Sequence, residues 1–384
     1  MIPRPFWIQR IHEAWKAAPI AWLAGVRRVG KTTLVKSLGD QVLYVNGDLP
    51  VSADKTADPE LFYQNCDRPI VAFDEIHQLP DPSRLLKIGA DHFSHLKIIA
   101  TGSSTLAASN KFKDTLTGRK RLVHLTPVLC WDELAAFHNT PLLKRLYHGG
   151  LPEPLMSESK PMEFYREWMD SFFARDIQRL FAFRDPYKFN AFFEYLMKQS
   201  GGQLEMSKAA SALGIGRPTV ESHLRALEGT HAVSLLRPFF GGGRKEIVKM
   251  PTVYGFDTGF VSFCRGWDPL RPTDYGSLWE HVVLEYLQAY ASQRPVQYWR
   301  DTDGREIDFV IVRNRDEVDA IECKWSVDHL EPSNLKTFRA FYPRGNNYLV
   351  CPLASPGYAK RITGLSLYVC NPRGWYEHAS RKKS

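Results

Sequence analysis

A glycine-rich motif near the amino terminus has the residue types and spacing of a phosphate-binding loop. Residues 25–32 read Gly-Val-Arg-Arg-Val-Gly-Lys-Thr and fit the pattern G-x-x-x-x-G-K-[ST] without a mismatch. The motif follows a predicted strand and opens a predicted helix, where glycines let backbone N–H groups surround phosphate oxygens. Lys31 is expected to reach the β- and γ-phosphates, and the Thr32 hydroxyl to ligate Mg²⁺. The motif therefore predicts ATP and Mg²⁺ as cofactors.

Two acidic residues further along supply the second half of a nucleotide site. Residues 70–75 read Ile-Val-Ala-Phe-Asp-Glu, so a predicted apolar strand ends in Asp74 and Glu75. Ligands of open α/β sheets bind at the carboxyl ends of the strands. We therefore expect Asp74 to hold Mg²⁺ and Glu75 to polarise the attacking water. The alternative is a strand that ends in a solvated acidic turn.

The next predicted strand ends in a polar segment, Thr101-Gly-Ser103-Ser104. A hydroxyl at this position could contact the γ-phosphate and report its presence, and the sequence leaves Thr101 and Ser103 as alternatives. Capping of the strand end is the simpler interpretation. The residues expected to contact the nucleotide are Gly25, Arg28, Val29, Gly30, Lys31, Thr32, Thr33, Thr101 and Ser103.

A second group of charged residues lies near the carboxyl terminus. Residues 298–312 predict two strands joined by a turn, and Asp308 lies in the second of them. Thirteen residues separate Asp308 from Glu322, and Lys324 follows on the same strand face because side chains alternate along a strand. A hairpin can bring the two acids together, and a predicted upstream helix offers Glu280 as a third.

Composition and charge limit the classes of protein to consider. The 384 residues suggest two or three domains, and 44% hydrophobic with 24% charged residues is ordinary for globular proteins. The six cysteines are scattered without a CxxC pair, which favours a reducing, cytoplasmic location. No run of residues has the length of a membrane-spanning helix, so no membrane partner is expected. Nearly all of the net charge of +8 lies in residues 331–384, which hold nine Lys or Arg against two Glu. A basic domain favours an anionic partner such as DNA, although a solvated basic surface is the alternative.

The middle of the chain predicts a helix-turn-helix. Residues 204–213 and 217–227 form two amphipathic helical patterns around Gly214-Ile-Gly216, and strand-like runs at 233–240 and 246–250 then predict a hairpin wing. The side chains predicted to face DNA are Thr219, Ser222, His223, Arg225, Arg244, Lys245 and Lys249. Residues 201–250 carry only seven Lys or Arg against four Glu, so protein contacts are an open alternative.

The amino-terminal motifs together resemble the core of AAA+ ATPases. They are the phosphate loop, the Asp-Glu strand, the polar strand end and Leu116-Thr-Gly118-Arg119 before a strand. The resemblance implies that Arg119, with Arg121 as its substitute, projects into the nucleotide of a neighbouring subunit. The alternative is a surface arginine on a turn. An arginine supplied in trans implies a homo-oligomer, commonly a ring.

The carboxyl-terminal pattern resembles the PD-(D/E)XK nuclease fold. This resemblance implies that Asp308 and Glu322 hold Mg²⁺, that Glu280 completes the site, and that Lys324 orients or activates the attacking water. The alternative is a retained fold that binds DNA or protein without cutting. Nearly the whole chain resembles prokaryotic AAA+ ATPases with a winged-helix and nuclease-like carboxyl-terminal region of unassigned function. The expected α/β domains are an ATPase core at 1–150, a helical and winged-helix module at 151–265 and a nuclease-like basic domain at 266–384.

Three functions follow as alternatives. The first is an oligomeric, ATP-hydrolysing protein that acts on duplex or branched DNA, such as junctions. The second is a nucleotide-gated regulatory switch that acts through protein partners, for instance in defence or toxin control. The third is an ATP-gated, Mg²⁺-dependent DNA endonuclease.

Overall fold

Three β-sheets follow one another along the chain, and helices connect them. A computed structural model describes residues 2–102, 116–181, 183, 185–241, 250–290 and 294–381. Five strands form the first sheet, three short strands the second and six strands the third. Within the described ranges, every helix is too short or too polar to cross a membrane.

The first sheet is parallel, as the alternation of apolar runs and helical patterns predicts. Its strands are β1 (Ile20–Ala24), β2 (Val42–Asn46), β3 (Ile70–Asp74), β4 (Lys97–Thr101) and β5 (Lys120–His124). They lie in the order β2-β3-β4-β1-β5. β1 and β3 are buried along their whole length, which is typical of strands covered on both faces. The phosphate loop, Asp74 and Thr101 therefore meet at the carboxyl edge of the sheet.

Short helices cover the two faces of this sheet. They are α1 (Pro5–Ala17), α2 (Lys31–Lys36), α3 (Pro50–Lys55), α4 (Pro59–Gln64) and α5 (Pro82–His92). Proline suits the first turn of a helix because the N–H that it lacks would have no intrahelical partner there. The carboxylates of Asp58 and Asp81 cap α4 and α5 by accepting backbone N–H groups.

An aromatic-rich helical connection leads to the second sheet. Its helices are α6 (Leu142–His148), α7 (Pro152–Met156), α8 (Met162–Phe172) and α9 (Gln178–Phe181). Residues Phe173–Ile177, between α8 and α9, form a π-helical turn. Such turns change the direction of the side chains that follow and are frequent at functional sites.

The middle module contains the predicted pair of helices and a small antiparallel sheet. Its elements are α10 (Pro186–Lys198), β6 (Gly202–Gln203), α11 (Met206–Leu213), α12 (Arg217–Gly229), β7 (Val233–Leu236), β8 (Thr252–Gly255) and α13 (Thr258–Cys264). The strands lie in the order β6-β8-β7. The strand predicted at 246–250 falls mainly outside the described residues, as do the predicted wing residues Arg244, Lys245 and Lys249. The returning strand that the structure shows begins at Thr252.

The prediction that His223 faces DNA is wrong. Its side chain is only 5% exposed and packs against the rings of Phe183, Phe189 and Phe192. Burial lowers the pKa of this imidazole, so the neutral ring belongs to the aromatic core beneath α12. Arg225, in contrast, is exposed on the same helix.

The carboxyl-terminal sheet is mixed and contains the predicted hairpin. Its strands are β9 (Gln297–Arg300), β10 (Glu306–Val312), β11 (Val318–Cys323), β12 (Asn347–Val350), β13 (Tyr358–Ile362) and β14 (Leu365–Cys370), in the order β13-β14-β12-β11-β10-β9. The helices are α14 (Tyr275–Tyr290), α15 (Pro332–Phe341) and α16 (Pro372–Arg381). β10 and β11 pair antiparallel, with Phe309 opposite Ile321. This register places Asp308 beside Glu322.

A buried arginine connects the three parts of the chain. The Arg145 guanidinium, on α6, is fully buried and donates to Glu285 of α14, to the Thr258 hydroxyl at 3.1 Å and to the Val128 carbonyl at 2.9 Å. Asp257 accepts the Gly150 N–H at 2.6 Å beside it. A methyl group on Gly150 would lie 2.4 Å from the Arg145 guanidinium, so this close approach requires glycine.

We expect Arg145→Met to destabilise the protein by about 3–5 kcal/mol, because it leaves the Glu285 carboxyl buried without its cation. Adding Glu285→Gln should recover a large part of that loss, since no charge is then buried alone. Urea unfolding measures both values. Arg217→Met is the matched control, because its ion pair with Glu221 is exposed and should contribute less than about 1 kcal/mol. Equal losses for Arg145→Met and Arg217→Met would contradict the prediction.

Candidate functional site

The phosphate loop has the geometry that its sequence predicts. Gly25 and Gly30 both have positive φ angles, 153° and 102°, and a methyl group on Gly25 would lie 2.5 Å from the Leu125 carbonyl oxygen. The Lys31 ammonium donates to the carbonyl of Gly25 at 2.8 Å and to that of Val26 at 3.1 Å. Burial lowers the pKa of Lys31, and the nearby Glu75 opposes this shift. Lys31 is therefore held within the loop, at the position from which a phosphate could attract it.

A cavity of about 410 Å³ opens beside the loop, a volume in the range of small-molecule sites. It is lined by Gly25, Arg27, Arg28, Gly30, Lys31, Thr32, Thr33, Glu75, Pro152, Glu153, Phe172, Asp176 and Thr230. Most of the predicted nucleotide contacts are in this set. The side chain of Val29, also a loop residue, is buried instead, and its carbonyl accepts a hydrogen bond from the Arg4 guanidinium at 2.9 Å.

Asp74 is the centre of a hydrogen-bonded group at the carboxyl end of β3. Its Oδ2 accepts the Thr32 hydroxyl at 2.7 Å and the Tyr44 hydroxyl at 2.5 Å, and its Oδ1 accepts the Thr101 hydroxyl. A hydroxyl and a carboxylate side by side are the oxygen ligands that Mg²⁺ takes in phosphate-loop sites. The pair Thr32 and Asp74 thus fits the predicted ion, which these two residues would hold and which would neutralise charge on the phosphates.

Glu75 lies beside the cavity in a backbone conformation unusual for its residue type. Its φ angle is 49°, and non-glycine residues in this left-handed region cluster at functional sites. The Glu75 N–H donates to Thr101 Oγ1 at 3.1 Å, and Oε2 lies 3.3 Å from His77 Nδ1. Burial raises the pKa of Glu75, while Lys31 acts in the opposite direction. A partly desolvated carboxylate facing the phosphate site is suited to accept a proton from water.

Thr101 contacts both acids, since it donates to Asp74 and accepts the Glu75 N–H. It is fully buried, so its observed contacts are those of a residue that orients the acids. Its role as a γ-phosphate sensor remains a prediction. Ser103, the alternative, lies outside the described residues.

Arg119 lies at the opposite edge of the sheet from its own phosphate loop. It precedes β5 at the amino end of the strands, and its guanidinium contacts Asp91 at 2.6 and 3.0 Å. Arg121, the predicted substitute, is exposed. Arg119 therefore does not act on the chain's own nucleotide, and its role on a neighbouring subunit remains a prediction beside that of a surface arginine on a turn.

Sequence reasoning missed residues of the connecting helices that complete the nucleotide cavity. Asp176, on the π-helical turn, lies 3.4 Å from the Arg27 guanidinium, and Trp168 donates to the Arg27 carbonyl at 3.0 Å. Glu153 lies 3.6 Å from Arg28. Arg27 and Arg28 occupy variable positions of the motif, and their partners follow more than a hundred residues later, so local spacing gives no signal for either pair.

The carboxyl-terminal charged residues converge as predicted. The Lys324 ammonium lies 3.3 Å from Asp308 Oδ2 and 3.1 Å from Glu322 Oε2, and Asp308 also accepts the Cys323 N–H at 2.7 Å. Glu280 reaches the group from α14 and accepts the Tyr254 hydroxyl of β8 at 3.2 Å. These four charged residues, Glu280, Asp308, Glu322 and Lys324, are called the acidic cluster below.

The acidic cluster, as defined above, contains three carboxyl groups but only one ammonium, that of Lys324. Burial and the neighbouring Asp308 raise the pKa of Glu280 to about 8, and the same causes raise the pKa of Glu322 well above its usual value. Glu322 is 3% exposed, and its Oε1 receives no hydrogen bond from the described residues. Such an oxygen is chemically suited to a cation. No group of three or more acidic, His or Cys side chains in the described part of the chain already has the geometry of a metal centre.

Comparison with known proteins assigns the first part of the chain. Residues 17–134 match a family model described as an AAA domain. The amino-terminal part of the chain is therefore similar to AAA-type ATPase domains. Residues 139–271 and 275–363 match two further models, each described as a domain of unknown function. The winged-helix and nuclease-like identities of these later regions therefore remain predictions.

Two uncharacterized proteins are similar in sequence to most of the chain. A protein of Mycobacterium tuberculosis, described as uncharacterized, is 27% identical over 313 residues, which are 79% of this chain and 69% of the relative. An uncharacterized protein of Methanocaldococcus jannaschii is 23% identical over 75% of this chain and 70% of its own. A solved structure described as a Walker-type ATPase of Pyrococcus abyssi has 16% identity and a TM-score of 0.47, covering 69% of this chain and 96% of that one.

We expect Glu75→Gln in the ATPase domain to lower the rate of ATP hydrolysis by about 10²–10⁴-fold, because the amide cannot accept the proton of the attacking water. ATP affinity should change little, since Lys31 and the loop remain. Phosphate release gives the rate, and calorimetry gives the affinity. Glu60→Gln, an exposed acid on α4, is the control. A Glu75→Gln protein that hydrolyses ATP at the normal rate would exclude Glu75 as the base.

The acidic cluster predicts a pH-dependent effect of Glu322→Gln in EDTA. The pKa of Glu322 is raised in the folded chain, so its contribution to stability is present at low pH and is lost as the pH rises above the unfolded value. Glutamine mimics the protonated acid and avoids this loss. The variant should gain about 1.4 kcal/mol over the wild type for each pH unit in which only the folded chain keeps the proton. Urea unfolding at pH 5, 6.5 and 8 measures the gain, and a gain independent of pH would contradict the assignment.

Proposed function

We propose that this protein hydrolyses ATP and acts on DNA, with the carboxyl-terminal domain as the part that holds the DNA. The observation that supports this most directly is the acidic cluster. Two acids and a lysine on adjacent strands, with a third acid from a helix, are the groups that bind a divalent ion beside a phosphodiester. In this proposal Asp308, Glu322 and Glu280 hold Mg²⁺ and Lys324 orients water or phosphate.

The charge of residues 331–384, called the basic segment, supports the same assignment. Exposed cations of its described part are Lys336, Arg344, Arg361, Arg373 and Arg381. One member of the basic segment is internal instead: Arg339 is 9% exposed and donates to four backbone carbonyls and to Asn347. A positive surface attracts phosphates over about a Debye length.

The helix pair of the middle module contributes less to DNA binding in this proposal. On α11 and α12, Lys208 is paired with Glu205 and Arg217 with Glu221, so the exposed charges largely cancel. Arg225 is exposed, and Glu228 on the same helix is half-buried. A winged helix with this surface is better suited to protein contacts, or to a weak contact with duplex DNA, than to tight DNA binding.

The proposal includes assembly into a homo-oligomer. Arg119 lies far from its own phosphate loop, so a catalytic role for it requires a second subunit. A ring would place Arg119 of one copy beside the nucleotide of the next.

The test is the ATPase rate with and without duplex, single-stranded and four-way-junction DNA, and Lys31→Ala is the blank. We expect DNA to stimulate hydrolysis, with Lys324→Ala reducing both DNA affinity and stimulation. The same reactions with Mg²⁺, run on a denaturing gel, show whether DNA is cut. Cuts that disappear in Asp308→Ala or with EDTA would make the protein an ATP-gated endonuclease. Hydrolysis without any DNA binding or stimulation would contradict the proposal.

A second candidate is a nucleotide-gated switch that acts through protein partners. One observation favours it: the nucleotide cavity is completed by residues that follow the ATPase domain, among them Glu153, Asp176 and Thr230. Nucleotide binding can then change the position of the middle module directly. Slow hydrolysis without DNA stimulation, together with nucleotide-dependent capture of a defined partner, would favour this candidate.

A further inference from the structure

Both variable arginines of the phosphate loop contact acids of the connecting helices. Arg27 lies 3.4 Å from Asp176, and Arg28 lies 3.6 Å from Glu153 with its guanidinium 5.2 Å from the Phe164 ring centre. All four charged side chains line the nucleotide cavity. Two cations that could bind phosphate are therefore already engaged by carboxylates from another part of the chain.

The Arg27–Asp176 pair is the more buried of the two. The Asp176 side chain is 18% exposed and that of Arg27 is 26% exposed, whereas Glu153 is 67% exposed. Burial raises the pKa of Asp176, and the nearby Arg27 and Lys31 oppose that shift. The Nε of Arg27 is buried and has no hydrogen-bond partner among the residues that the structure describes. Arg27 thus has an unused donor beside the place where the phosphates are expected.

We propose that Arg27 is a phosphate ligand that Asp176 holds away from the nucleotide, and that the triphosphate displaces Asp176 when it binds. This inference rests on ATP binding at the loop and adds one phosphate ligand, Arg27, and one positioning residue, Asp176, to it. The role is regulatory as well, because Asp176 belongs to the π-helical turn that joins α8 to α9. Loss of the ion pair removes the contact between this turn and the phosphate loop.

Electrostatics gives the direction of the effect. The complex of ATP with Mg²⁺ is still negative, so its phosphates attract Arg27 and repel the Asp176 carboxylate in a poorly hydrated cavity. Arg27 can donate to two phosphate oxygens with its planar group, whereas its present contact with Asp176 is a single long one. Each ATP that binds must break this contact, and by linkage the contact must weaken ATP binding to the same extent.

Asp176→Asn should therefore bind ATP more tightly, by about fivefold or more, a coupling typical of linked sites. Arg27→Gln should bind ATP more weakly by a similar factor. In the double variant, Asp176→Asn should strengthen ATP binding less than it does in the presence of Arg27, because the arginine that Asp176 restrains is gone and only the repulsion of the phosphates is relieved. Calorimetric titration with Mg²⁺–ATP at constant ionic strength measures all four affinities.

The controls separate this inference from the proposed function. Glu167→Gln changes an exposed acid of α8 by the same chemistry and should leave the affinity unchanged. Wild-type protein that does not bind ATP would end the proposed function itself. Wild type that binds ATP while Asp176→Asn binds with equal or lower affinity would overturn the inference alone. Thermal unfolding checks that each variant is folded, and Asp176→Ser replaces the asparagine variant if that one is not.

A kinetic measurement distinguishes positioning from a structural role. Release of Arg27 should lower the KM of Asp176→Asn for ATP with kcat largely retained. A merely structural Asp176 would instead give a less stable protein with a higher KM. The control variant Glu167→Gln should change neither KM nor kcat.

Discussion

The buried ion pair between Arg145 and Glu285 holds the parts of this protein together. Arg145 belongs to the connection after the ATPase domain, Glu285 to the central helix of the carboxyl-terminal domain, and their neighbours Asp257 and Thr258 to the end of the middle module. An arginine buried in this way must satisfy its donors at fixed places, so three segments distant in sequence are fixed relative to one another. The nucleotide cavity and the acidic cluster are both built across these segments, and both therefore depend on the same contact.

The sequence predicts best the features that consecutive residues form by themselves. Eight residues determine the phosphate loop, so Lys31 and Thr32 lie where the motif places them. A hairpin with side chains alternating every second residue likewise brings Asp308 and Glu322 together, because the strand register follows from that pattern. In both cases the local spacing of residues determines which side chains come together, and the structure supplies the distances between them.

Features that depend on long-range packing could not be predicted. His223 has the spacing of an exposed residue on a DNA-reading helix, but three phenylalanines from preceding segments enclose it. Asp176 reaches the phosphate loop from 149 positions away and lies on a π-helical turn, whose position the local sequence does not predict. The Tyr254 hydrogen bond to Glu280 also depends on how the second sheet packs against α14. In each case the deciding partner lies in another element of the fold.

The helix α14 shows how closely the domains depend on one another. Ten of its sixteen residues are buried, and its contacts reach every part of the chain: Trp131 donates to Tyr286, Gln288 donates to Ser234, and Trp279 donates to Val350. A chimera that kept residues 1–265 and took its carboxyl-terminal domain from another protein would therefore have to import a compatible α14. An incoming helix without an acid opposite Arg145 would bury an uncompensated guanidinium, so exchange of this domain between relatives requires that both sides of the contact change together.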